Sequence, residues 1–204
     1  MNETINIILQ QAQQNSILEL LAVIFAIAYL LLAVRESVLC WPAALGSTFI
    51  FLFIFWQVRL YMESGLQLYY IAMALYGWYQ WTKINDNNEK LQVSTWPIKH
   101  HVAALLFIGI ATLVSGSLLN SGTDARLPYL DSFTTWASIV TTYMVTQKIL
   151  ENWIYWLVID SVSIVLYLDR GLYFTSILFA LYIVIIFFGG YAWLKSYRQT
   201  TNAG

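Results

Sequence analysis

The sequence predicts an all-α membrane protein with seven transmembrane helices, arranged as two parallel three-helix repeats joined by a connector helix, a 3+1+3 plan. Three observations lead to this fold class. The 204 residues are 59% hydrophobic and only 10% charged, whereas soluble domains are about 45–50% apolar and about 25% charged. Several apolar segments are long enough to cross a bilayer, and the third of them matches the seventh.

Seven segments are candidates for transmembrane helices, because a hydrocarbon core of about 30 Å requires about 20 apolar residues. They are 17–34, 38–57, 66–82, 102–119, 132–147, 149–168 and 172–194. The connections "RES" at 35–37 and "DRG" at 169–171 are short enough to predict tight turns between antiparallel neighbours. The one long polar segment, 82–101, contains Pro97, which fits the start of the fourth helix.

The repeat is visible in the sequence "GWYQWTK" at 77–83, which aligns without gaps on "GGYAWLK" at 189–195. Glycine, tyrosine, tryptophan and lysine match in both halves, and the same offset places Trp41 on Trp153. If spans 1–3 recur as spans 5–7, span 4 is a connector whose single crossing keeps the two units parallel, as in some transporters. We therefore divide the chain into a first repeat with its N-terminal tail (1–83), a cytoplasmic loop with the connector (84–128), and a second repeat with a short C-terminal tail (129–204).

Charge and cysteine content exclude several kinds of protein. The net charge of −1 provides no basic field for nucleic acid, and the single cysteine, Cys40, excludes an intrachain disulfide. The segment 1–16 contains no Lys or Arg, and no short apolar core with a small-residue cleavage site follows it. We therefore expect the first apolar segment to remain in the mature protein.

The distribution of Lys and Arg among the loops predicts the orientation, because these residues accumulate on the cytoplasmic side. An outside N-terminus and a cytoplasmic C-terminus leave only Arg59, Arg126 and Arg170 outside. The cytoplasmic side then receives Arg35, Lys83, Lys90, Lys99, Lys148, Lys195 and Arg198.

The segment "ENWIYWLVID" at 151–160 places a carboxylate and two tryptophans inside a predicted span. Trp153, Trp156 and Asp160 follow the spacing i, i+3 and i+7, so they share one helix face, with Asn152 beside Trp156. An ionisable residue near the middle of a bilayer costs at least about 2.5–3.5 kcal/mol and usually faces a bundle interior or a water-filled cavity. Asp160 is therefore the best single indicator of an interior site.

Structural roles are the alternative for each of these residues. Asp160 could bond hydroxyls of Ser161, Ser163 or the threonines of span 5 and so hold helices together. The tryptophans could be packing or interfacial residues. Span 3 offers a second polar face with Gln67, whose amide could be satisfied by a ligand or by a neighbouring helix.

The remaining candidates lie on spans 3 and 7, and they complete the predicted ligand-binding set. That set is Gln67, Tyr70, Trp78, Asn152, Trp153, Trp156, Asp160 and Tyr182. His100 and His101 sit where span 4 begins, and we assign them to the aqueous boundary. We find no nucleophile with a base, no phosphate loop and no metal-ligand spacing, so we expect no enzyme, no cofactor and no metal.

The motifs "YGWYQW" (76–81), "ENWIYWLVID" (151–160) and "GLYFTSILFALYIVI" (171–185) resemble the nicotinamide riboside transporter (PnuC) family of bacteria. The resemblance covers nearly the whole chain. It implies a SWEET-like 3+1+3 fold in the bacterial inner membrane, often as a homotrimer. It also implies vitamin uptake by facilitated diffusion, with trapping of nicotinamide riboside by a cytoplasmic kinase, which feeds NAD biosynthesis.

The resemblance carries substrate contacts to Gln67, Asn152, Trp153 and Trp156, as the groups that hold the pyridine ring and ribose. The chain departs from some members that have asparagine at the position of Asp160. Nicotinamide riboside is a pyridinium cation, and cation–π contact with tryptophan contributes about 0.5–2 kcal/mol. Thiamine, also a cation, fits the same groups.

Two other functions remain open at this point. The chain could carry a related vitamin such as thiamine, or it could be a non-transporting membrane sensor that uses the same aromatic cavity. For a transporter, we expect the substrate near the bilayer midplane between the two three-helix repeats, which rock to open the site alternately. The absence of a second buried acid or a basic partner for Asp160 argues against proton coupling, although Asp160 alone could relay a proton.

Overall fold

The computed structural model describes residues 18, 20–57, 61–84, 90–122, 127–169 and 173–203, and this part of the chain contains seven helices. These are α1 Leu20–Val34, α2 Cys40–Gln57, α3 Tyr61–Thr82, α4 Ile98–Gly122, α5 Pro128–Thr146, α6 Asn152–Asp169 and α7 Tyr173–Ala203. The prediction of an all-helical chain with seven helices is confirmed.

Several helices extend beyond the apolar segments that predicted them. α7 continues through polar residues to Ala203 instead of ending near 194, and α3 begins at Tyr61 instead of 66. A helix of 31 residues is about 46 Å long at 1.5 Å per residue, whereas the hydrocarbon core is about 30 Å thick. Hydropathy marks only the part of a helix inside the membrane, so the sequence places the ends too close together. α4 follows Pro97 directly, as predicted.

The turns after α1 and after α5 have the same backbone conformation. Glu36 and Lys148 both have positive φ, at 52° and 51°. In each turn this residue and its successor, Ser37 or Ile149, donate their N–H groups to carbonyls of the last helical turn at 2.9–3.0 Å. This is the Schellman arrangement that ends helices. It confirms the predicted tight turn at 35–37, and it occurs at positions that the repeat offset matches.

A few predicted features fall outside the described residues. They are most of the N-terminal tail, two residues of the turn at 169–171, and the charges Arg59, Arg126 and Arg170 that entered the orientation count. The three-part division of the chain stays a prediction.

The chain divides into two compact units, Met1–Tyr79 and Gln80–Gly204. In the first unit, the Ser47 hydroxyl donates to the Ala22 carbonyl at 3.0 Å and so ties α2 to α1. In the second unit, α4 packs on α5, α5 on α6, and α6 on α7.

A tryptophan lies directly on a helical glycine in each unit. The Trp41 indole of α2 covers Gly77 of α3 in the first unit, and the Trp153 indole of α6 covers Gly189 of α7 in the second. A Cβ atom on either glycine would overlap the ring, so only glycine permits these helices to approach so closely. The two contacts lie at the positions that the sequence offset pairs.

The helix surfaces are strongly apolar. Among the described residues, Ile98–Gly122 and Ser176–Asn202 are long and apolar enough to cross a membrane. Shorter apolar helices lie at Leu20–Val34, Cys40–Ile54 and Asn152–Leu166. On α4 the buried residues are Ile108 and Gly116, and large apolar side chains such as Leu113 and Leu118 are more than 60% exposed. Such a surface suits a lipid environment.

Candidate functional site

The buried face of α6 is the face on which the sequence predicts the aromatic and polar candidates. Its buried residues are Asn152, Trp153, Ile159, Asp160, Ser163 and Leu166, with Trp156 half-buried among them. Large exposed residues lie on the opposite side, at Ile154, Val158, Val165 and Leu168. The helical spacing therefore predicts correctly which side of α6 is turned away from the surface.

Asn152, the first residue of α6, is fully buried, and only one of its two side-chain polar groups has a hydrogen-bond partner. Its side-chain N–H donates to the Ile149 carbonyl at 2.7 Å and closes the turn between α5 and α6. Its side-chain carbonyl oxygen is buried and accepts no hydrogen bond from any residue that the structure describes. A buried acceptor without a partner costs about 1–3 kcal/mol. The Asn152 oxygen is therefore a buried hydrogen-bond acceptor that the described part of the chain leaves unused.

Trp153 is mainly a packing residue. Its ring is 4% exposed, covers Gly189, and meets the Trp193 ring edge-on with centroids 5.5 Å apart. The Trp193 ring in turn contacts the Trp81 ring at 6.0 Å. This arrangement favours the packing role that the sequence left open. The Trp153 indole N–H is buried and has no hydrogen-bond partner among the described residues.

Trp156 lies one turn further along α6 and is half-buried. With Tyr155 it packs against the buried cluster of Ile108, Ala137 and Ile159, which joins α4, α5 and α6. The Trp156 side chain is therefore held in part by this cluster and is not fully covered by protein.

Asp160 is 4% exposed and lies two turns into α6. Of the hydroxyls that could have bonded it, those of Ser161, Thr141 and Thr142 instead donate to backbone carbonyls of their own helices, at Leu157, Ala137 and Ser138, each at 2.7 Å. No hydrogen bond or ion pair reaches the Asp160 carboxylate from any described residue. The role of polar cross-link between helices is thus not the one that the structure gives to Asp160.

The candidates on α3 belong to the first unit. Gln67 is buried, Tyr70 is half-buried beside the Tyr69 ring at 5.9 Å, and Trp78 is 39% exposed. The buried position beside Trp78 is occupied by Gly77, which accepts the Trp41 ring. The hydrophobic pattern could not distinguish these neighbours, because a glycine adds no apolar signal of its own.

Tyr182 lies on α7 in the second unit, half-buried, with its ring 5.5 Å from that of Phe179. In the second unit the structure therefore places Asn152, Trp156 and Asp160 on one helix face and Tyr182 on the next helix. The ligand-binding role of each candidate stays a prediction.

A polar network that the sequence does not predict lies at the start of α6. His101 Nδ1 lies 3.0 Å from the Tyr155 hydroxyl, and His101 Nε2 lies 3.8 Å from a Glu151 carboxylate oxygen. The Trp96 backbone N–H donates to the other Glu151 oxygen at 3.3 Å. Residues more than 50 positions apart are joined here, and periodicity within a helix gives no sign of such contacts. His101, which the sequence assigns to the aqueous boundary, is only 16% exposed.

Comparison with known proteins gives a consistent result. A family model described as nicotinamide mononucleotide transporter matches residues 16–195. The chain is 28% identical over 193 residues to the nicotinamide riboside transporter PnuC of Escherichia coli (strain K12), covering 82% of this chain and 81% of that protein. It is 27% identical over 183 residues to the riboflavin/roseoflavin transporter RibM of Streptomyces davaonensis, covering 87% and 84%.

The fold is also similar to a solved structure. The crystal structure of the vitamin B3 transporter PnuC superposes with a TM-score of 0.72 at 18% sequence identity, covering 96% of this chain and 88% of that chain. At this level of identity the similarity supports the fold, and the residues of the site must be argued from the chain itself.

Proposed function

The chain belongs to the nicotinamide mononucleotide transporter family, and we propose that its substrate is nicotinamide riboside, taken up across the membrane by facilitated diffusion. The predictions of a PnuC-type membrane transporter and of a protein that is not an enzyme are confirmed by this membership and by the matched relatives. The substrate and the mechanism are the proposal.

The unpartnered oxygen of Asn152 is the observation that carries the choice of substrate. Nicotinamide riboside presents a carboxamide N–H₂ and ribose hydroxyls, all of which can donate to a buried carbonyl oxygen. Trp156, on the same α6 face, offers an aromatic surface for the pyridinium ring, which a cation–π contact favours. An amide acceptor and an indole on one buried face fit both parts of this solute.

A flavin is the second candidate, because RibM is named as a riboflavin transporter and covers most of the chain. The isoalloxazine ring is neutral and larger than a pyridinium ring, so it would use the indole surface without needing a countercharge. Thiamine, which the sequence keeps open, is cationic and is tested alongside.

For the mechanism, we propose that two three-helix repeats, 1–83 and 129–204, move against each other about the connector α4 and expose the site alternately to each side. The matched turns at Glu36 and Lys148 support a repeat of local structure. The matched contacts of Trp41 with Gly77 and of Trp153 with Gly189 support it independently. Such movement needs no external energy, and phosphorylation by a cytoplasmic kinase would retain the solute.

Three further features belong to the proposal. The chain resides in the bacterial inner membrane, with its N-terminus outside and its C-terminus in the cytoplasm, as the loop charges indicate. It assembles as a homotrimer. Accessibility labelling of cysteines placed at each terminus, in intact cells, tests the orientation, and the mass of the purified complex tests the assembly.

Uptake into sealed vesicles that contain the purified chain tests the proposed function. Labelled nicotinamide riboside is offered without an ion gradient, and riboflavin and thiamine are offered in parallel. We expect nicotinamide riboside to enter until its internal and external concentrations are equal. Binding without equilibration would identify a sensor instead, and equilibration of riboflavin alone would identify a flavin carrier.

The variant Asn152→Ala connects this uptake to the site. Loss of a hydrogen bond worth about 0.5–1.5 kcal/mol weakens binding by roughly two- to ten-fold, so we expect KM for nicotinamide riboside to rise by that factor. Ser161→Ala is the matched control, because Ser161 lies on the exposed side of α6 and bonds its own helix at Leu157. An unchanged KM in Asn152→Ala would remove Asn152 from the site.

A further inference from the structure

We propose that Asp160 makes the carrier selective for vitamins with a fixed positive charge, an inference that rests on the proposed function. The selectivity would come from a carboxylate that the protein buries without providing a partner. Nicotinamide riboside and thiamine carry such a charge, and the flavins of the RibM type do not.

The Asp160 carboxylate is isolated from the polar groups of the described protein. It is 4% exposed, and no described residue offers it a hydrogen bond or an ion pair. A buried ionised carboxylate is strongly unfavourable unless it is paired. Hydroxyls on the same and the neighbouring helix, such as those of Ser161 and Thr141, already donate to backbone carbonyls. The carboxylate thus gains most from a partner that arrives from outside the protein.

The cations that the protein itself has near α6 do not neutralise Asp160. The ammonium of Lys148, the basic residue of the turn that precedes α6, lies 4.8 Å above the Trp81 ring. Asp160 is eight residues after Asn152, which places it about 12 Å further along the helix axis. The other described lysines and arginines of the second unit are exposed: Lys83, Lys90, Lys99, Lys195 and Arg198. None of them forms an ion pair with Asp160.

The order of side chains along the buried face of α6 also fits a cationic solute. Trp156 lies one turn from Asp160, about 6 Å along the axis, and Asn152 lies one turn beyond Trp156. A cationic ring held against the Trp156 indole would therefore have its charge within one helical turn of the carboxylate. The Asn152 oxygen would then meet the far end of the solute. The buried, unpartnered oxygen of Asn152 and the carboxylate of the 4% exposed Asp160 lie on one face, on either side of a half-buried indole. This order indicates a ligand with a cation at one end and a hydrogen-bond donor at the other.

A pair of ligands that differ only in charge tests the inference. The 1,4-dihydro form of nicotinamide riboside carries an added hydride on the ring and is neutral, with nearly the same shape. Calorimetric titration of each form into the purified full chain gives the ratio of the two dissociation constants. We expect the wild-type protein to bind the cation at least ten-fold more tightly than the neutral form.

The variant Asp160→Asn should bring this ratio close to one, because it keeps the shape of the side chain and removes its charge. Asp169→Asn is the matched control, since Asp169 is the exposed last residue of the same helix, and it should leave the ratio unchanged. A ratio that stays at ten-fold or more in Asp160→Asn would overturn the inference while leaving the proposed function intact.

The wild-type protein alone also tests the charge selectivity, whether or not the Asp160→Asn variant folds. Equal affinity for the cationic and the neutral form would show that no charge selection exists. Binding of neither form, combined with binding of riboflavin, would overturn the proposed substrate and this inference together.

Discussion

Replacing Gly189 by alanine should destabilise the protein by an amount that the structure bounds. A Cβ atom at this position would overlap three atoms of the Trp153 ring. The ring cannot easily retreat, since it is 4% exposed and its other side meets Trp193. Overpacking of this kind costs about 1–3 kcal/mol, and the better helix propensity of alanine returns about 0.8–1.0 kcal/mol. The net loss is therefore roughly 0–2 kcal/mol, with a central value near 1 kcal/mol.

The assay is thermal unfolding of the purified protein in one detergent. A change of 1 kcal/mol shifts Tm by about 2–4 °C for a chain of this size, so Gly189→Ala should melt about 2–4 °C below the wild type. Gly109→Ala is the matched control, because nothing lies within 4 Å of a Cβ atom at Gly109 of α4. That control should melt at or slightly above the wild-type temperature.

A second substitution separates the overlap from other causes. Trp153→Phe in the Gly189→Ala background shortens the ring that the new methyl group meets, so the double variant should lose less than the sum of the two single losses. Two results would refute the packing argument: a Gly189→Ala protein as stable as Gly109→Ala, or fully additive losses in the double variant.

Three other changes have expected outcomes. Gly77→Ala should lower Tm by an amount similar to that of Gly189→Ala, because the same ring atoms would be overlapped; an effect absent at Gly77 alone would show that the two contacts are not equivalent. Ser47→Ala removes the buried bond to α1 and should cost about 0.5–1.5 kcal/mol by denaturant titration, whereas Ser121→Ala, at an exposed serine that bonds its own helix, should change little. Glu151→Gln should speed hydrogen exchange of the Trp96 N–H by weakening its charge-assisted bond, and an unchanged exchange rate would contradict that role.

The sequence predicts the interior side of α6 well, for a simple physical reason. Side chains at i, i+3 and i+7 of a helix lie on one side, and a carboxylate on that side is tolerated in a membrane only if it faces inward. The burial of Asp160 follows from these two rules, and the structure agrees. What the rules leave undecided is whether a neighbouring helix satisfies the carboxylate, because that depends on hydroxyl rotamers and helix separation.

The α3 candidates show where the same reasoning fails. The predicted ligand-binding set includes Trp78, but Gly77 occupies the buried position beside it and Trp78 is 39% exposed. A glycine contributes no side chain, so hydropathy cannot show that a large ring from another helix lies on it. The motif from which the sequence predicts a repeat includes this glycine at both 77 and 189, and each of the two glycines accepts a tryptophan ring.

Under the proposed function, packing and substrate recognition use different residues of α6, although the sequence groups them together. Trp153 has its ring enclosed by Gly189 and Trp193, as expected of a residue that fixes two helices at one distance. Asn152 and Asp160 keep polar atoms that no described residue satisfies. Evolution toward stability alone would replace such groups by apolar ones, which is often neutral or stabilising in a buried site. Under the proposed function, a solute would complete their hydrogen bonds and charge, so the unsatisfied atoms, more than the aromatic content, mark the face on which we propose that it binds.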